Sequence, residues 1–402
     1  TGGTLNLDGN SSIPIDIAEG RSATVNCNSD RGTYTNKLTG KGTVTIYYPL
    51  VKGNDWYATR ASFAGTWAAF EGTVKPTGVS GDGRFCLNNG NGMPKGTLNI
   101  ASGITVENTA KTFKLGAVTG SGTLGGVCSL SSSAVSGNNT WQVGLLGTDF
   151  EFGGKISGGA TRFEKVGDGT MTLTGSGSNH TGTNSVSAGT LCLNNSKATA
   201  AMLGTGSLTV ASGAMLSGQG MLANAITVNK GGILRPGIKE NSMSGKIDCG
   251  GKNVTLVAGA TLQLYVSSGT MYTRLTNVGR LLLKGTLRVL VRDTGTYKAG
   301  QELQLWDAAT TQLDDAMTLD LSPLPEGLYW DIADLGDGIL RITDDPELAI
   351  HTLTAEPVAV AVQYYDLSGK RLTVPPTQGL YLVRTILSDG TTRTEKRQGN
   401  GK

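Results

Sequence analysis

Apolar and polar positions alternate along this chain in short bursts, and most bursts open on a glycine. Instances are Gly3-Thr4-Leu5-Asn6-Leu7, Gly42-Thr43-Val44-Thr45-Ile46, Gly83-Arg84-Phe85-Cys86-Leu87, Gly96-Thr97-Leu98-Asn99-Ile100, Gly169-Thr170-Met171-Thr172-Leu173, Gly189-Thr190-Leu191-Cys192-Leu193, Gly206-Ser207-Leu208-Thr209-Val210 and Gly285-Thr286-Leu287-Arg288-Val289. Alternation with a period of two puts Leu, Val and Ile on one side of a strand and Thr, Asn and Arg on the other. The glycine supplies the backbone freedom of a tight corner. The phrase is densest over residues 161–236, and that stretch sets the reading of the rest.

Spacing separates a sandwich from a solenoid. The phrase recurs from 169 to 189, a step of 20, from 189 to 206, a step of 17, and from 206 to 213, a step of 7. Seven residues make one strand and one corner. About twenty make three such edges, one coil of a three-sided parallel β-helix. A sandwich would need Asn-Gly or Asp-Gly hairpin turns between most strands. Those dipeptides are too few for that, with Asn89-Gly90, Asn91-Gly92, Asp8-Gly9, Asp82-Gly83 and Asp168-Gly169 among them. The pattern therefore predicts an all-β fold, a single-stranded parallel β-helix.

The helix is expected over residues 1–345. Within it, 47–72 reads as an aromatic-rich excursion from the coils, and 238–345 as terminal coils and a cap, the latter rich in acidic residues. Asp345-Pro346-Glu347 marks a boundary. Residues 346–402 read as a separate small β-sandwich-like domain, with strands around Val358–Tyr365 and Gly379–Arg384 and turns at Asp366-Leu367-Ser368-Gly369 and Ser388-Asp389-Gly390.

Composition supports many short strands joined by turns. Glycine supplies 60 of the 402 residues and charged residues only 16%, without the three-residue period of collagen. A net charge of +3, spread along the chain, argues against a nucleic-acid partner. No apolar run is long enough for a transmembrane helix. The opening residues carry no signal peptide and are already in the repeat idiom, so a mature chain or fragment is expected. Five cysteines stand apart, with Cys86 and Cys192 in similar phrases. They read as small strand residues rather than a disulfide framework, and their spacing supports no zinc site.

β-Helices can carry polysaccharide lyases and hydrolases, which need clustered carboxylates and a base. Residues 161–236 contain only Glu164 and Asp168 as acids, both read as preceding the first strand, so that stretch offers no catalytic constellation. Trp56, Tyr57 and Trp67, with Arg60 beside them, are candidates for stacking a sugar ring, set against aromatics that merely seal a loop. Asp331, Asp334 and Asp337 are a weak calcium candidate, since a spacing of three is not that of an EF-hand. Asn88-Asn89 and Asn194-Asn195 read as stacked corner residues.

The order Lys165-Val166-Gly167-Asp168-Gly169, Leu173-Thr174-Gly175, Gly189 to Asn195, Leu208 to Gly220 and Ile226 to Gly237 resembles the autotransporter-associated β-strand repeat. His180 stands where that repeat usually has an aromatic, which predicts a less well packed turn. The resemblance implies a right-handed parallel β-helix, secreted or displayed at the surface of Gram-negative bacteria. Tyr365-Asp366-Leu367-Ser368-Gly369-Lys370-Arg371, Gly379-Leu380-Tyr381-Leu382-Val383 and the basic tail resemble the sorting domain of type IX secretion substrates, which implies the secretion machinery as a partner. The tract from Gly42 to Gly72 is similar to regions found downstream of polysaccharide-lyase-like β-helices. The leading expectation is a non-catalytic stalk, spacer or adhesion surface, with a polysaccharide or host-surface glycan as candidate partner. The alternatives are the downstream portion of a pectate-lyase-like enzyme and a carbohydrate-binding module.

Overall fold

The computed structural model describes residues 2–29, 32–48, 60–78, 83–109, 112–128, 138–239, 242–348, 359–387 and 392–399. The chain divides into two compact units, Thr1–Ala349 and Ile350–Lys402. The first is a right-handed parallel β-solenoid. The second is a small antiparallel sheet of sandwich-like character.

One ladder carries most of the glycine-led phrases. Ala23, Val44, Val74, Leu98 and Val118 stack in register through the first coils. Phe150, Met171, Leu191, Leu216, Leu234, Leu262, Leu287 and Leu319 do the same through the later ones. Most of these side chains are fully enclosed, and Leu98, Leu191, Leu216, Leu234, Leu262 and Leu287 are each 0% exposed. A coil leaves its apolar edge open above and below, so only its neighbours can cover it. Each enclosed aliphatic side chain contributes about 1.5–3 kcal/mol.

Two phrases belong elsewhere. Gly83–Leu87 lies in a separate parallel sheet of six strands with Thr33–Tyr34, Arg60–Phe63, Ile104–Asn108, Thr123–Val127 and Lys155–Ile156. Leu208–Val210 sits on another ladder, between Asn184–Val186 and Ile226–Val228. Cys86 and Cys192, alike in sequence, therefore sit on different sheets. The same holds for Asn88-Asn89 and Asn194-Asn195, which do not stack. The side chain of Asn88 accepts from Thr109, and that of Asn195 donates to the Thr174 carbonyl at 3.0 Å. Each of these bonds joins one coil to the next along the axis, as do those of half-buried Asn26, which donates to Asn6 at 2.7 Å, and buried Asn224, which donates to the Gly204 carbonyl at 2.8 Å.

Several strands bend through a corner without breaking. Thr112–Gly120 pairs with Thr140–Val143 through its first residues and with Phe152 through Gly120. Gly120 has φ +88°, and a Cβ there would lie 2.2 Å from the Ile100 carbonyl oxygen. Bending and close stacking thus demand glycine at that place.

The aromatic tract is part of the coils wherever it is described. Thr43–Tyr48 and Thr73–Gly78 pair with each other, and Arg60–Phe63 pairs with Gly83–Leu87. Tyr34, Phe63 and Phe85 stack down the interior, with ring centroids 5.4 Å and 6.0 Å apart. These rings are rungs set by the apolar period of two, and residues 49–59 of the expected excursion lie outside the described residues.

The acidic stretch ends the first unit. Glu302–Gln304, Ile339–Thr343 and Tyr329–Asp331 form an antiparallel sheet that encloses Trp330, Leu335, Leu340 and Ile342. It is tied to the strand Trp306–Leu313 by Leu305 N–H to the Gly338 carbonyl and by the Gln304 amide to the carbonyls of Trp306 and Asp337. In the second unit the strand order is Arg371–Leu372, Ala359–Tyr365, Gly379–Leu387, Thr392–Gly399. Tyr364 and Tyr381 pack 6.2 Å apart. Asp366 closes its turn by accepting from the Ser368 and Lys370 N–H groups, with Gly369 at φ +87°.

Candidate ligand-binding groove

Three successive coils make the same corner at Ser121-Gly122, Gly153-Gly154 and Thr174-Gly175, and the coil before them turns beside it at Ser102-Gly103. The corner has no room for larger side chains. A Cβ on Gly154 would lie 2.0 Å from the Gly122 carbonyl oxygen, and one on Gly175 1.9 Å from that of Gly154. Stacked glycines therefore form a floor, and Ser102, Thr105, Ser121, Thr123, Lys155 and Asn179 stand among its walls. The resulting groove has a volume of about 520 Å³. Four coils at strand spacing span about 14 Å. Its lining is hydroxyls, backbone amides, one carboxamide and one ammonium, with no carboxylate. Such a surface can exchange hydrogen bonds with a polyhydroxylated ligand. It holds no acid–base pair for cleaving one.

The sequence-predicted residues fall elsewhere. Trp56 and Tyr57 lie outside the described residues, and Arg60 is placed only by its backbone, at the start of the strand Arg60–Phe63. Trp67 is 3% exposed, its ring 5.8 Å from Phe63 and its indole N–H given to the Asn36 carbonyl at 3.2 Å. That ring is core and presents no face to a sugar. Asp331, Asp334 and Asp337 are not drawn together: Asp331 accepts from the Ala333 N–H, Asp334 pairs with Arg341, and Asp337 closes a short 3-10 turn. Among the described residues no group of three or more His, Cys, Asp or Glu could hold a metal ion.

Other polar groups are absorbed by the structure. Glu164 lies within the strand Arg162–Lys165, not ahead of it, and accepts from Gln142 and Ser187 on the neighbouring coils. His180 is fully buried, with Nδ1 3.2 Å from the Ile156 carbonyl and Nε2 2.7 Å from the Asn184 amide. Far from loosening its turn, the imidazole replaces an aromatic ring in volume and sets each ring nitrogen within hydrogen-bond distance of a polar atom. Lys165 points inward between Val143 and Val186 and is 0% exposed. Its ammonium donates to the carbonyls of Val166, Gly167 and Ala188. Burial pushes its pKa down to about 8, against the pull of Asp168 and Asp149.

The cysteines divide two ways. Cys86 and Cys128 form a disulfide across 42 residues, with Cα atoms 5.8 Å apart. The reading of all five as small strand residues rather than a disulfide framework is corrected for this pair. Proximity came from coil geometry, since Cys86 pairs with Glu107 and the next rung ends beside Cys128. Cys27, Cys192 and Cys249 are free and buried. Burial raises all three, Cys27 and Cys249 to about 12, so none is poised as a nucleophile.

Sequence reasoning missed the groove because its residues are small and sit in turns. A signal exists: Gly122, Gly154 and Gly175 each stand two residues past an aligned rung position, Gly120, Phe152 and Leu173. A comparison of the whole chain with curated proteins gives no match. Residues 163–192 match the model of the passenger-associated-transport repeat. That segment runs from Phe163, beside the caged Lys165, through the rungs Thr170–Leu173 and Asn184–Val186 to Cys192, little more than one coil. The chain is a parallel β-solenoid carrying a motif similar to that repeat of autotransporter passengers.

Proposed function

We propose that this chain is an extracellular or surface-displayed protein of a Gram-negative bacterium, a stalk, spacer or adhesion surface with no catalysis of its own. The observation that carries the reading is the coil-on-coil column of enclosed apolar side chains. It extends the chain at little cost in new fold information while leaving Ser, Thr and Asn outside. The passenger-type motif at 163–192 supports export. The C-terminal unit, with its Asp366 turn and basic last strand, is then the part handled by the secretion machinery.

The test is protease shaving of intact source cells, read with antibody to the chain. Surface display predicts digestion without lysis, and loss of display when residues 346–402 are removed. A full chain digested only after lysis sinks the proposal. The polar groove favours contact with a glycan as the adhesive function. Binding on a glycan array that falls in Lys155→Ala and Asn179→Ala variants would support this, and no binding by the wild type would end it.

A further inference from the structure

A second recess lies further along the solenoid, past the end of the same ladder of rungs, and has a different chemistry. Gly218 and Gly237 exchange two backbone hydrogen bonds, of 2.9 and 2.7 Å, and this folds the segment after Pro236 back over the sheet. Further on, Tyr272 forms an antiparallel bridge to Val266. Between these segments is a pocket of about 240 Å³ lined by Gln219, Ser244, Gly245, Lys246, Thr270, Tyr272 and Arg274.

Its charge is one-sided. Lys246 and Arg274 are directly opposed in parallel register on adjacent strands. Gln219 comes before Gly220, the partner of Ile247, and so falls on the rung beside Lys246. Like charges placed opposite each other in a sheet repel. Among the described residues no carboxylate pairs with either cation. Asp248, two residues along the strand from Lys246, is engaged by the Gly250 N–H at 2.9 Å and the Asn277 amide at 3.2 Å. Arg274 is held in place: its guanidinium lies 5.6 Å over the Tyr272 ring, and the Tyr272 hydroxyl accepts from the Gln304 N–H at 3.3 Å. Holding the two side chains beforehand lowers the entropy cost of binding.

We infer that this pocket binds an acidic sugar through its anionic oxygens. A fixed guanidinium offers paired N–H donors to a carboxylate or sulfate, and the lysine beside it adds a point charge. The Ser244 and Thr270 hydroxyls and the Gln219 amide are donors and acceptors for the sugar's own hydroxyls. The volume suits a single ring, being below that of a drug-sized site. The site does not depend on the display reading or on the glycine-floored groove.

The experiment is calorimetric titration of the full chain at low salt with three probes: a tetragalacturonate, its carboxyl-reduced neutral counterpart, and a sulfated disaccharide. Binding of the uronate or of the sulfated sugar, with none of the neutral counterpart, is expected, and the probe that binds identifies the anion. Lys246→Gln and Arg274→Gln should each weaken binding about tenfold or more. Lys246 is exposed, so its variant should retain the wild-type circular dichroism spectrum and melting point. Lys37→Gln, at an exposed lysine that lines neither recess, should leave the affinity unchanged. Failure of both anionic probes to bind, equal binding of the neutral probe, or undiminished affinity in both pocket variants would each overturn the inference.

Discussion

At the scale of single residues, Lys165 is the anomaly in a column that otherwise reads Leu115, Val143, Val186, Val210. Its three carbonyl acceptors satisfy the ammonium without a counter-ion, and burial moves its pKa from 10.5 down to about 8. Between those two values the unfolded chain holds a proton that the native chain has released. Stability gained from this group therefore rises as pH increases through that window, and is constant below it. The buried thiols are raised, so they act in the opposite sense above pH 9. A Lys165→Met variant keeps those thiols and removes only the lysine. The difference in urea midpoint, wild type minus variant, should grow between pH 8 and pH 10. A difference that stays flat would show that the lysine is not deprotonated in the native state.

At the scale of elements, the disulfide links Gly83–Leu87 to the chain just past Thr123–Val127, two rungs on in the six-stranded sheet. Closing 42 residues restricts the unfolded chain and should stabilise the fold by about 2–4 kcal/mol. Reduction, or a Cys86→Ala, Cys128→Ala pair, should lower the urea midpoint accordingly, and an unchanged midpoint would remove the disulfide from the stabilising elements. Cys27, Cys192 and Cys249 should stay closed to a thiol reagent until the protein is unfolded. The elements themselves were legible because Leu191 and Leu193 face one way and Thr190 the other, a signal strong enough to place rungs without a structure. Which ladder a rung joins was not legible. Gly83–Leu87 and Gly189–Leu193 have the same pattern, and only the lengths of the intervening corners assign them to different sheets. The groove was hidden for the same reason, since glycines and serines in corners differ from loop residues only by stacking. Trp67 misled because an aromatic beside Gly65 reads equally as a surface platform or a core ring, and burial against Phe63 decides it.

At the scale of the solenoid, contacts run almost entirely between adjacent coils. Met171 touches Leu191 in register, Leu191 touches Leu216, and Leu216 touches Leu234. Stability in such an array is a sum of coil and interface terms, so damage should spread to neighbours and then fade. Leu191 is fully enclosed, and Leu191→Ala should cost about 2–5 kcal/mol. Because that loss is confined to two interfaces, amide exchange should accelerate in Thr170–Leu173, Thr190–Asn194 and Met215–Met221. It should remain at wild-type rates in Ser22–Cys27 and in Thr273–Leu283, several coils away on either side. A variant that exchanges faster by the same factor in all these strands would mean that the solenoid opens as one cooperative body. Its length would then be bounded by global stability, and a stalk built by adding coils would lose its physical basis. Protection that falls off with distance from residue 191 is the behaviour an extensible spacer requires.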